Sequence, residues 1–389
     1  MERPIVVLVG TRPEALKLLL LHKKLQAEGF PSLLCSTEQH SDILNQVLKI
    51  FDILPDISLG IMKPNQDLFD ITASILIKFK EVLLKINPRL LIVQGDTSSA
   101  FAAALSAFYL KIPVAHVEAG LRSGNMHVPY PEELNRTIIS KIADYHFAPT
   151  ALNCANLLNE GVAREKIFCT GNTIVDSLFW IKNKIESGQI EVDKKLVEKV
   201  EKCKKLNLKI AVLTAHRRES FGGGLLQIFS CIKKFALAHK DLFIFYTLHP
   251  NPNVIAEFEK SGLGELENIF VNNPLGYTEL VYLLTNSSFV ITDSGGIQEE
   301  AMSLGKRVII LRDVTERVEG LWEGLGKLVG TDEFLIYEGL KTFYSKDIQE
   351  KTSTIFGDGK TVERICNILK MKLHMAEKKS GIVVMGTGG

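Results

Sequence analysis

The stretch Phe289-Val290-Ile291-Thr292-Asp293-Ser294-Gly295-Gly296-Ile297-Gln298-Glu299-Glu300 decides the fold. Its first four residues read as a short buried strand, and a Ser-Gly-Gly turn then opens a helical pattern. A strand that passes through glycines into a helix lets backbone N–H groups approach a pyrophosphate closely. Glu300 lies far enough along that helix to accept hydrogen bonds from ribose hydroxyls. After the next strand comes Arg312-Asp313-Val314-Thr315-Glu316-Arg317, and Arg317 can reach the same ligand from the neighbouring loop.

Runs of the same kind recur on both sides of this stretch. The first series is 5–9, 33–36, 90–94, 114–117, 145–148 and 166–169. The second is 210–213, 242–247, 269–271, 289–292 and 308–311. Each is followed by a helix-like segment, the signature of βαβ units around buried parallel sheets. Two such series in 389 residues predict an α/β protein of two Rossmann-like domains. Between them, 181–209 is crowded with Lys and Glu and reads as solvated helix surface after a domain crossover. The glycine-rich residues 380–389 read as a frayed tail.

Lys and Arg number 46 against 45 Asp and Glu, a net charge of +1. That balance excludes a bulk electrostatic grip on nucleic acid or an anionic membrane, so an anionic ligand needs a local site. Apolar residues at 46% and charged residues at 23% suit a soluble globular protein. Six scattered cysteines with no CxxC pair read as reduced thiols, with no zinc knuckle or disulfide frame. The longest apolar run, 101–110, is half of the roughly 20 residues a membrane helix needs. The expectation is a cytoplasmic protein with no membrane span and no nucleic-acid partner.

The other motifs fall at strand ends. Gly10-Thr11-Arg12-Pro13-Glu14-Ala15-Leu16-Lys17 follows the first strand. Pro13 suits a first helical turn, and such a helix N-terminus is an anion site to which Arg12 and Lys17 add charge. It can equally be only a turn, and the absence of GxGxxG removes a nicotinamide fingerprint. Gly95-Asp96-Thr97 ends another strand, where Asp96 either faces a ligand crevice or caps the next helix. His116-Val117-Glu118-Ala119-Gly120-Leu121-Arg122-Ser123 places Glu118 at a further strand end. In Pro129-Tyr130-Pro131-Glu132-Glu133-Leu134-Asn135-Arg136, Glu132 or Glu133 opens a helix. Any one of these acids is more often structural; three at one open sheet edge are less easily dismissed. In the second half, Leu213-Thr214-Ala215-His216-Arg217-Arg218-Glu219 puts His216 beside two arginines, where its cationic form is disfavoured until an anion binds. His249-Pro250-Asn251-Pro252 reads as a rigid turn.

Seven of these motifs, in order and at consistent separations, resemble the non-hydrolysing UDP-N-acetylglucosamine 2-epimerase family. They are GTRPEA at 10–15, GDT at 95–97, HVEAGLRS at 116–123, PEELNR at 131–136, HRRE at 216–219, DSGGIQEE at 293–300 and TER at 315–317. The resemblance implies two Rossmann-like domains facing a cleft (the GT-B type shared with nucleotide-sugar glycosyltransferases). It implies a helix near 361–373 crossing back to the first domain. The expected division is 1–171 plus about 357–379 for the acid/base domain and 172–356 for the UDP-binding domain, with 380–389 as tail. The implied catalytic residues are Asp96, Glu118, Glu132 and His216. The implied UDP-sugar contacts are Arg12, Lys17, Asp96, Glu118, His216, Ser294, Gly295, Gly296, Glu300 and Arg317. No metal or other cofactor is implied, and the partners are UDP-N-acetylglucosamine, UDP-N-acetylmannosamine and a second copy in a homodimer.

Some positions depart from the family pattern. Ser220 ends HRRES, Val318 follows TER, and Glu38 and Ser74 stand where the family holds a second, regulatory UDP-sugar. Leu275 and Leu280 are aliphatic at uracil-side positions. The implied reaction breaks C1–O as the C2 proton leaves, since that proton has no neighbouring carbonyl to make it acidic. UDP departs, a 2-acetamidoglucal remains, a proton returns to the opposite face and UDP re-adds. Such chemistry needs an acid/base on each sugar face and a cationic cradle for the diphosphate. Rival readings are a hydrolysing epimerase that releases N-acetylmannosamine and UDP, and a 2-epimerase of a related UDP-acetamido sugar.

Overall fold

Apolar runs buried on both faces require a parallel sheet with helices on each side, and the chain builds two of them. The computed structural model describes residues 3–37, 41–62, 66–272, 274–345 and 352–385, with 41–43 and 376–385 described by backbone alone. Residues up to Ser177 and from Gly357 onward form one compact unit; Leu178–Phe356 form the other.

The first unit holds β1 (Ile5–Val9), β2 (Ser32–Ser36), β3 (Ile57–Ser58), β4 (Leu90–Gln94), β5 (Val114–Val117), β6 (Tyr145–Ala148) and β7 (Ile167–Cys169). They pair in parallel in the order β3-β2-β1-β4-β5-β6-β7. On one face, Val6, Leu8, Leu91 and Val93 pack with Ile75, Phe79 and Leu83 of helix Leu68–Ile86. Helix Ser98–Tyr109 joins the same core through Ala100, Ala103, Ala104 and Ala107, small residues that let a helix lie close to the sheet.

The second unit holds β8 (Lys209–Thr214), β9 (Leu242–Thr247), β10 (Ile269–Asn272), β11 (Phe289–Thr292), β12 (Arg307–Ile310) and β13 (Gly326–Leu328). These are parallel in the order β10-β9-β8-β11-β12-β13. Their core is aromatic: Phe229, Phe235, Tyr246, Phe258 and Phe289 fill the layer beneath helix Gly224–Ala238. In each sheet the strand order reverses once, between β1 and β4 and between β8 and β11. Ligands of open parallel sheets bind outside the carboxyl ends at that reversal.

Two strands escaped the sequence reading, β3 and β13. They are two- and three-residue edge strands with no fully buried residue, so no apolar run announces them. The Lys-rich segment contains helix Lys194–Lys205, which buries Leu196, Val200 and Cys203 on one side. The unit boundary lies inside helix Thr173–Glu186, six residues beyond the expected 171. The first turn of that helix is tied to the first unit: Ser177 Oγ donates to the Leu16 carbonyl, and the Asp176 carboxylate accepts from Thr361 N (3.2 Å) and Val362 N (2.9 Å). Those amides start helix Thr361–Met385, which packs on helix Arg12–Ala27 and buries Ile365, Cys366 and Leu369. It continues past the expected 373. Residues 386–389 of the expected tail, and Glu38, lie outside the described residues. No helix among the described residues is long and apolar enough to cross a membrane.

Candidate active site

In the first unit the reversal point is spanned by Glu14. This fully buried carboxylate accepts from Gly10 N (2.9 Å), Thr11 N (2.7 Å), Thr11 Oγ1 (2.8 Å) and Thr97 Oγ1 (2.7 Å). It therefore ties the loop after β1 to the loop after β4. Burial raises its pKa, and the four donors work against that rise. At this turn, expected from the sequence as an anion site, the Gly10 and Thr11 amides serve an internal carboxylate. Arg12 is half-buried and has no side-chain partner among the described residues.

Glu118 follows β5 with φ +65°, a left-handed conformation that costs a non-glycine residue energy and marks functional positions. Its buried carboxylate accepts from Lys17 Nζ, Gln94 Nε2 and Asn172 Nδ2, the last at 3.2 Å. Lys17, an expected nucleotide contact, is buried and pairs with Glu118. Asp96 follows β4 on a turn whose Gly95 has φ +69°. Its carboxylate pairs with Arg136, and its carbonyl accepts from Asn135 Nδ2 at 2.9 Å. His116 holds the same turn through Nε2, 2.7 Å from the Gly95 carbonyl; burial pushes its pKa down to about 3, so the ring is neutral.

The pair Glu132 and Glu133 divides cleanly. Glu133 is structural: it accepts from Arg136 and from the amides of Ser123 and Gly124. Glu132 keeps a buried Oε2 with no donor among the described residues. Buried carboxylate oxygens are ordinarily satisfied, so this one leaves a position for a further donor, from water or from a ligand.

In the second unit, Asp293 spans the reversal point. Its Oδ2 accepts from the amides of His216 (2.5 Å) and Arg217 (2.7 Å), joining the ends of β8 and β11. The His216 ring stacks on His249, with centroids 4.9 Å apart and planes 7° apart. Burial, and then His216, lower the pKa of His249.

Helix Gly295–Ser303 starts beside this cluster with Ser294 at its N-cap. Among the described residues, no group accepts from the amides of Gly295 and Gly296, which leaves a helix N-terminus open to an anion. A Cβ on Gly295 would lie 2.8 Å from Arg317 Nη1, whereas one on Gly296 would meet nothing within 4 Å. Gly295, expected from the sequence to allow close phosphate approach, also has Arg317 as a close neighbour. That arginine is held by Glu299 (2.8 Å) and by Glu316 (3.3 Å), which also binds Arg312 (3.1 Å). Glu300 is buried and accepts from the Tyr277 hydroxyl at 2.5 Å.

Gln94, Asn172, Arg136 and Asp293 were not singled out by the sequence reading. Glu14 could have been: Thr11-x-x-Glu14 is the spacing of a capping box.

The family described as UDP-N-acetylglucosamine 2-epimerase matches residues 23–370. A UDP-N-acetylglucosamine 2-epimerase of Campylobacter jejuni is 45% identical over 376 residues, covering 95% of this chain and 98% of that protein. The crystal structure of UDP-GlcNAc 2-epimerase from Neisseria meningitidis bound to UDP-GlcNAc is similar with a TM-score of 0.86 at 38% identity, covering 95% of this chain and all of that one. A glycosyltransferase from Rickettsia africae shares the fold alone, with a TM-score of 0.61 at 16% identity over 96% of this chain and 99% of that one.

Proposed function

The chain belongs to the UDP-N-acetylglucosamine 2-epimerase family, and from that premise we propose that it interconverts UDP-N-acetylglucosamine and UDP-N-acetylmannosamine without releasing free sugar. The observation that carries the reading is the buried, donor-free Oε2 of Glu132, at the same sheet edge as Asp96 and Glu118. The C2 proton leaves to one carboxylate as the C1–O bond breaks and UDP takes the bonding electrons. The resulting 2-acetamidoglucal accepts a proton on the opposite face of C2, and UDP re-adds at C1. Asp96, Glu118 and Glu132 share proton transfer and stabilisation of positive charge at the ring. Lys17 and Arg136 oppose the charges of Glu118 and Asp96. The open amides of Gly295 and Gly296, with His216 and Arg317, hold the departing diphosphate. Glu300 takes the ribose hydroxyls.

The same reading gives the product to surface-polysaccharide synthesis and the enzyme to the cytoplasm. It pairs the chain with a second copy. Phe69, Ile77 and Leu84 lie on one side of helix Leu68–Ile86 and are 84%, 65% and 58% exposed, an apolar stripe that suits a homodimer contact. Sedimentation of Ile77→Glu as a monomer supports that contact.

Turnover of UDP-N-acetylglucosamine in D2O, followed by NMR, tests the reaction. UDP-N-acetylmannosamine carrying deuterium at C2 is expected. A mixture of only N-acetylmannosamine and UDP overturns the non-hydrolysing outcome, and full retention of the original hydrogen overturns solvent exchange.

A further inference from the structure

Asp293 is 1% exposed and makes three approaches to one neighbour pair. Two, to the amides of His216 and Arg217, fix the turn after β8. The third concerns the ring: Oδ1 lies 3.2 Å from His216 Nδ1, at ion-pair distance though short of hydrogen-bond alignment. Such contacts in ligand-free sites commonly tighten once the substrate is bound. The ring cannot swing freely, because His249 stacks against its face. The Tyr246 hydroxyl, buried and without a partner among the described residues, has its pKa raised by burial and by Asp293. A buried carboxylate with an imidazole nitrogen in reach favours the proton on that nitrogen.

We infer that Asp293 is a positioning residue for His216: it holds the proton on Nδ1 and fixes the ring's rotation, so that Nε2, on the opposite edge, meets the departing diphosphate. This rests on the proposed role of His216 at the diphosphate. The competing account makes Asp293 a turn cap and nothing more. Asp293→Asn separates the two. Its side-chain oxygen still accepts from both amides, so the turn survives, but its NH2 now faces Nδ1. That nitrogen must then accept, and the imidazole proton moves to Nε2.

The test has a spectroscopic arm and a kinetic arm. Nitrogen-15 NMR of the ligand-free protein, at a pH where imidazole is ordinarily neutral, is expected to show His216 protonated on Nδ1 in the parent and on Nε2 in Asp293→Asn. The variant's kcat should fall about a hundredfold, the scale of a misplaced group, with KM and melting temperature close to the parent. In a His216→Gln background, Asp293→Asn should cost nothing further, because the residue it positions is gone. An unchanged tautomer overturns the inference, as does a full additional loss in that background. A parent enzyme that binds UDP but does not turn over UDP-N-acetylglucosamine would overturn the proposed reaction instead, and the tautomer would still decide the role of Asp293.

Discussion

The two sheets solve the same problem with opposite results. At each strand reversal a buried carboxylate stitches two loops together: Glu14 between β1 and β4, Asp293 between β8 and β11. Glu14 belongs to the helix that follows the first strand, so it folds back onto the Gly10 and Thr11 amides before its own helix. Asp293 precedes its helix, reaches sideways to the amides after β8, and leaves the amides of Gly295 and Gly296 unanswered. In the function proposed above, this one-sided placement of a carboxylate puts the diphosphate at the second unit. The first unit contributes Asp96, Glu118 and Glu132 to the proposed chemistry.

The largest effect should come from Glu132→Gln. Turnover is expected to fall by about 10²–10⁴-fold, the usual scale for an acid/base group, while UDP affinity by titration calorimetry stays near the parent value. Equal losses in both would erase the distinction between the units. Glu14→Ala strands four donors and should lower unfolding free energy by at least about 2 kcal/mol in denaturant titration, again sparing UDP affinity. A large loss of UDP affinity in that variant would place the diphosphate at the first unit after all.

A pH test sharpens how the first unit treats its buried acids. Burial raises the pKa of Asp176 to about 6, from 3.8. Between those values the folded protein holds a proton that the unfolded chain has released, so this group's contribution to stability falls as pH rises through the window. The whole swing is about 3 kcal/mol at most. Asp176→Asn should remove it, making the variant more stable relative to the parent near the top of the window than at its foot. A constant difference across that range refutes the assignment. The smallest effect separates two adjacent glycines. Gly295→Ala pushes the Arg317 guanidinium aside and should lower both the melting temperature and UDP affinity, the latter about tenfold, or 1.4 kcal/mol. Gly296→Ala projects into open space and should leave melting unchanged, so any effect there falls on UDP alone. Identical melting of the two variants would sink this account of Gly295.

What the sequence disclosed follows from range. The central strands were legible because a strand buried on both faces must be apolar along its length, as in 90–94 and 289–292. The edge strands β3 and β13 carry no such demand. The acids after the strands are legible as candidates from their position, and the family resemblance selects Glu132 over its neighbour. Their partners are not. Lys17 is 101 residues from Glu118, Asn172 is 54, and Asp293 is 77 from His216. No local spacing records an encounter of that range. Gly295 is legible as a glycine at a close approach, whereas its neighbour Arg317 comes from another loop and is not.

Asp176 holds the start of helix Thr361–Met385 from 185 residues away, so the second unit is an insertion within the first. During synthesis the ribosome therefore completes the inserted unit while the enclosing one still lacks its last helix. At translation rates of about 5–20 residues per second, the interval is about 10–40 s. Throughout it, the groove that Ile365, Cys366 and Leu369 will cover lies bare on helix Arg12–Ala27. Chain order alone therefore leaves this apolar face of the first unit uncovered until the last helix has been made.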